Sequence, residues 1–69
     1  MYTVYEFVEE FFLDYTNQPM TIWDRAVDGY VWEGDAIWKI PDNYRNYEML
    51  GMAGLANGVV ELIIDSSDY

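Results

Sequence analysis

The stretch "MTIWDRAVDGYVWEG" (residues 20–34) reads as two strands joined by a tight turn. Met20 to Arg25 and Tyr30 to Glu33 are rich in β-branched and aromatic side chains, which suit a pleated, half-buried surface. Between them, Asp28-Gly29 is a hairpin signal, because both residues tolerate the positive φ that a two-residue turn requires.

Upstream of this hairpin the periodicity changes. Thr3 followed by Glu6 is a capping box, in which each side chain satisfies the other's backbone amide at a helix start. Val4, Phe7, Val8, Phe11, Phe12 and Tyr15 then share one face at i, i+3, i+4 spacing. Glu6, Glu9, Glu10 and Asp14 fall on the other face, with Leu13 among them. This predicts an amphipathic helix over residues 3–15, stopped by Asn17-Gln18-Pro19.

Downstream, "DAIWKIPDNYRN" (residues 35–46) reads as a connection, with Pro41-Asp42-Asn43 as turn chemistry or a short helical turn. Tyr47 to Ala53 is a weaker strand, loosened by Gly51, with Met49 and Met52 as gap-filling core. Asn57-Gly58 is a second hairpin signal, and Val59 to Asp65 is the strongest strand. The expected order is α-β-β-β-β. It implies an α+β fold in which the N-terminal helix covers one face of a four-stranded antiparallel sheet, as one small domain spanning residues 1–69.

Alternation places Val60, Leu62 and Ile64 toward the helix and Val59, Glu61, Ile63 and Asp65 away from it. Tyr30 and Trp32 likewise oppose Val31 and Glu33. The far side of the sheet is thus expected to keep apolar groups that one helix cannot cover, a mark of an interface.

The chain has 69 residues, thirteen of them acidic against three basic, for a net charge of −10. A field of that sign repels nucleic acid and anionic membranes and attracts basic surfaces. With no cysteine and no histidine, disulfides and thiolate or imidazole metal sites are excluded, as is Ser–His or Cys–His catalysis. No carboxylate pair stands out from the general acidity, no phosphate loop or EF-hand spacing is present, and so short a chain has little room for a cleft. The reading is of a protein without catalytic activity or cofactor. The N-terminus lacks the basic and apolar regions of a secretory signal, and no run approaches the ~20 apolar residues of a membrane span. A cytoplasmic protein of a bacterial host is the expectation.

The helix acids are first of all a solvated face. Yet Glu6, Glu10 and Asp14 recur about every 6 Å along the axis, a spacing comparable to that of phosphates along a nucleic-acid strand. Asp28 and Asp35 extend the acid beyond the helix. Trp38, outside any expected strand, is the candidate exposed anchor, since tryptophan is enriched at interface hot spots. Glu6, Glu10, Asp14, Asp28, Asp35 and Trp38 are therefore the candidate partner-binding residues.

The layout resembles short acidic proteins encoded by phages and mobile elements of bacteria. It shares with them the amphipathic N-terminal helix, "NQPMTIWDRAVDGYVWEG", "IPDNYRNYEML" and the closing "VVELIID". Some small phage proteins of this size and charge are anti-CRISPR or anti-restriction inhibitors that occupy the nucleic-acid site of a defence complex. The resemblance implies such an inhibitor, a DNA mimic bound to a nuclease or other nucleic-acid-binding protein. It assigns no site residues. The alternative is a structural homo-oligomer, a dimer for instance, with the second sheet face buried between copies.

Overall fold

The computed structural model describes residues 2–12 and 17–68. Helix α1 covers Val4–Phe12 and is followed by strands β1 (Met20–Asp24) and β2 (Gly29–Gly34). A 3-10 turn at Ile37–Lys39 leads into the short helix α2 (Asp42–Arg45), then strands β3 (Gly51–Gly54) and β4 (Val60–Ile64), and a second 3-10 turn at Ser66–Asp68. Leu13, Asp14 and Tyr15, expected to extend α1, lie outside the described residues. Among those described, no helix is long and apolar enough to cross a membrane.

The capping box forms as expected. The Thr3 amide donates to Glu6 Oε1 at 3.0 Å and the Glu6 amide to Thr3 Oγ1 at 3.1 Å. Each bond satisfies a backbone donor that a helix start leaves without an intrahelical partner.

The class is α+β with one four-stranded sheet, but the sheet is mixed and not antiparallel. Strand order is β2-β1-β4-β3. Each hairpin is antiparallel, and the two meet where β1 runs parallel to β4, with Met20 beside Val60 and Ile22 beside Leu62. The order follows from burial. Met20, Ile22, Leu62 and Ile64 are fully buried, so the two most apolar strands take the centre under the helix. The glycine-bounded β2 and β3 take the edges. A parallel pair needs a crossover of a dozen residues or more, and the segment from β2 through α2 to β3 supplies it. That segment contains the second helix, the short helical turn that was one of the two readings of Pro41-Asp42-Asn43.

The core joins Val4, Phe7 and Val8 of α1 to these central strands, with Ile40 and Met49 closing its sides. Met52 departs from its expected role. It sits beside Leu62 in the ladder but is 46% exposed, because β3 lies at the edge of the surface that α1 covers.

A bulge alters the expected faces of β2. Ile22 pairs with Trp32 but Trp23 pairs with Tyr30, so Val31 is the extra residue. A one-residue insertion reverses the side-chain alternation beyond it. Trp32 therefore packs against the core, while Tyr30 is on the other face, edge-on to Trp23 at 5.0 Å between ring centres. Tyr30 and Trp32 do not share a side.

Candidate functional site

Three surface regions carry the chemistry, and the expected partner-binding residues are divided among them. The first is the helix. Glu6, Glu9 and Glu10 are exposed on α1. The hydrogen bonds from the Thr3 amide and hydroxyl region hold Glu6 below the usual carboxylate range, so it is charged at neutral pH. Asp14 lies outside the described residues.

The second region surrounds Trp38, the most exposed large apolar side chain among the described residues at 64%. Asp35 and Lys39 form an ion pair at 2.9 Å, which pulls the Asp35 carboxyl below its ordinary value. The Lys39 ammonium also lies 5.3 Å from the Trp38 ring centre. Arg45 joins this region to α1. Its guanidinium donates to the Ile40 carbonyl at 3.2 Å and the Trp38 carbonyl at 3.4 Å, and it lies 5.9 Å from the ring centre of Tyr5. Asp35 and Trp38 are thus brought together, and Tyr5 with them. Asp28 is not. It occupies the β1–β2 turn with φ 54°, at the far end of β2 from Asp35, roughly 20 Å away at ~3.3 Å per strand residue.

The third region is apolar and was not expected as a unit. Tyr2, Phe7 and Phe11 form an aromatic cluster with ring centres 5.0 to 6.2 Å apart. Beside them Met49, Leu50 and Met52 complete a groove of about 220 Å³. Tyr2, Phe11, Leu50 and Met52 are each more than two-fifths exposed. The cluster joins residues 2–11 to residues 49–52, which are distant in the chain. Its only signal in the sequence was apolar content in excess of what one small core can bury.

The outer sheet face is less open than the alternation implied. Tyr30 reaches from β2 across β1 to Glu61 of β4, donating its hydroxyl to Glu61 Oε1 at 2.6 Å. That bond, with the nearby negative charge, raises the Tyr30 pKa above its usual value. Trp23, Val59 and Ile63 are half-buried. Thr21, flanked in register by Glu33 and Glu61, is buried, and its hydroxyl has no hydrogen-bond partner. Among the described residues no three carboxylates converge closely enough to hold a metal ion.

Compared with protein families, curated proteins and solved structures, the chain matches none.

Proposed function

We propose that this chain is an acidic protein-binding module whose partner presents a basic, nucleic-acid-binding surface. In this reading it is a phage-type inhibitor of a bacterial defence protein. One observation carries the reading: all three cations lie beside the chain's own acids. Lys39 pairs with Asp35 and Arg45 with Asp42, and the charge of Arg25 adds to the Ser67 hydroxyl and amide bonds that hold the Asp65 pKa below its ordinary value. Among the described residues, no cation is paired with Glu6, Glu9, Glu10, Asp28 or Glu33. Their field extends to a partner and speeds encounter with a basic one. Trp38 and Tyr5 beside Arg45 supply aromatic contact of the kind that concentrates binding energy.

The test is capture from a bacterial lysate at low and at high salt, with the bound protein identified and then challenged by its own nucleic acid. The reading expects a nucleic-acid-binding protein held at low salt, displaced by the nucleic acid, and bound at least about tenfold more weakly by Glu6→Lys/Glu10→Lys. Affinity indifferent to salt and to the charge reversal would overturn it. A homo-oligomer is the second reading, favoured by the exposed Tyr2–Phe11–Met52 cluster. A monomer by sedimentation at high concentration would remove it.

A further inference from the structure

The edge of β3 is half-filled by the chain's own N-terminus. Residues before β3 pair on both sides: the Leu50 amide donates to the Ile63 carbonyl of β4 at 2.8 Å, and the Met49 amide donates the other way, to the Tyr2 carbonyl at 2.9 Å. Thr3 bridges Glu48 antiparallel, and the Val4 amide closes the segment on the Tyr47 carbonyl at 2.9 Å. Past Met49 the added segment ends. Gly51–Gly54 continues with β4 as its one strand neighbour among the described residues. The Leu55 amide donates to the Val59 carbonyl on the β4 side at 2.9 Å. Successive amides of a strand alternate sides, so Gly51 and Ala53, opposite Ile63 and Glu61, face β4 while the amides of Met52 and Gly54 face outward.

Along this open edge runs the apolar groove of Tyr2, Phe7, Met49, Leu50 and Met52. The wall formed by α1 carries acid. At about 100° per residue, Glu10 falls about 60° from Phe7 and Glu6 about 100°, both on the side away from Val8 and the core. Backbone pairing groups, an apolar trough and a carboxylate rim therefore lie side by side.

We infer that this edge takes an extended segment of the basic partner, added as a fifth strand with an apolar side chain in the groove and lysine or arginine against Glu6 and Glu10. The inference rests on the proposed function and names the surface it uses. Strand addition draws affinity from main-chain bonds and specificity from alternate side chains. Charge selects the occupant. A second copy of this chain would bring another −10 to the same rim, whereas a basic strand would neutralise it.

The experiment is a titration of the isotope-labelled protein at low salt with the peptide acetyl-Lys-Val-Lys-Val-Lys-amide, and separately with its glutamate counterpart, read by amide shifts and hydrogen exchange. The lysine peptide is expected to give saturable shifts and slowed exchange at Gly51–Gly54 and around Tyr2. The glutamate peptide should give neither. Gly54→Pro removes one outward amide, which edge strands tolerate, at a position where an added Cβ meets nothing within 4 Å, and should weaken binding about tenfold with the rest of the spectrum unchanged. Leu50→Glu should weaken it through the groove. Shifts confined to the α1 acids, with Gly51–Gly54 silent, would overturn this inference and leave the proposed function standing. Silence everywhere at low salt would overturn both. Protection at β3 that rises with protein concentration alone would assign the edge to a second copy and also overturn it.

Discussion

The Asp24 carboxylate accepts the Ser66 backbone amide at 3.0 Å, fastening the end of β1 to the turn that follows β4. The same oxygen accepts the Ala26 amide at 2.9 Å, so one side chain also shapes the exit from β1. The Arg25 amide adds a bond to the Ile64 carbonyl at 2.9 Å. The parallel pair at the centre of the sheet is thereby closed at one end by an acid that is buried to 2% exposure.

Burial pushes the Asp24 carboxyl pKa up, and the bonds from Ser66 and Ala26 outweigh it, leaving the group below its ordinary value. A carboxyl depressed on folding contributes stability that is full above its unfolded pKa, near ~3.9, and is lost as pH falls through the folded value. Asp24→Ala should lower stability by about 2 kcal/mol at neutral pH by leaving two amides without their acceptor. Asp24→Asn should reduce the acid loss of stability below pH ~4 relative to the parent. Urea denaturation across pH checks both.

Tyr30 and Glu61 form the bond that spans β1. Spectrophotometric titration of the seven tyrosines should therefore show a component above the ordinary value. Glu61→Gln should remove it, since the raised pKa comes from the bond to, and the charge of, that carboxylate. An unchanged titration curve would place Tyr30 elsewhere.

At Gly34 a Cβ would overlap the indole of Trp32. The ring lies across the glycine because the two residues are on one side of β2, where Trp32 packs against the core. Gly34→Ala should displace the ring, cost about 1–3 kcal/mol through overpacking, and shift tryptophan emission to the red. Equal stability and emission would show that the ring yields freely.

Thr21 has a buried hydroxyl without a partner, and an unpaired buried polar group costs stability. Thr21→Val keeps the shape and the β-branch. It should raise stability by about 1 kcal/mol, seen as a higher denaturation midpoint at unchanged slope. A lower midpoint would mean that the hydroxyl is satisfied in solution.

Thr3→Ala removes the hydroxyl that accepts the Glu6 amide and leaves the residue 3 amide to donate to Glu6 Oε1. A loss of about 1 kcal/mol is expected, with reduced helical ellipticity as the accompanying sign. Since Thr3 also bridges Glu48, slowed exchange at the Met49 amide should diminish in the same variant.

The helix start, both hairpins and the polar helix face were legible in the sequence because each rests on neighbours in the chain. Thr3 and Glu6 are three residues apart, and the turns at Asp28-Gly29 and Asn57-Gly58 need a positive φ at Asp28 and at Gly58. The bulge at Val31 left no such mark, because the extra residue arises from how β1 and β2 align. It moved Tyr30 and Trp32 to opposite faces. Nor did any local pattern tell that residues 2–4 would pair with 47–49, which places the apolar groove at the β3 edge. Asp35 and Trp38 were found together because three residues separate them. Asp28 was grouped with them by charge alone, and β2 holds it apart.

By itself the sequence determined the element types, the amphipathic helix, the turn positions and the excess of negative charge, all consequences of short-range backbone preference and composition. The tertiary structure alone decided that β1 and β4 lie parallel at the centre, because the two most apolar strands are best buried side by side beneath α1. That choice sent β3 to the edge and set its open backbone beside Tyr2, Phe7 and Met52, a neighbourhood created by packing between distant parts of the chain.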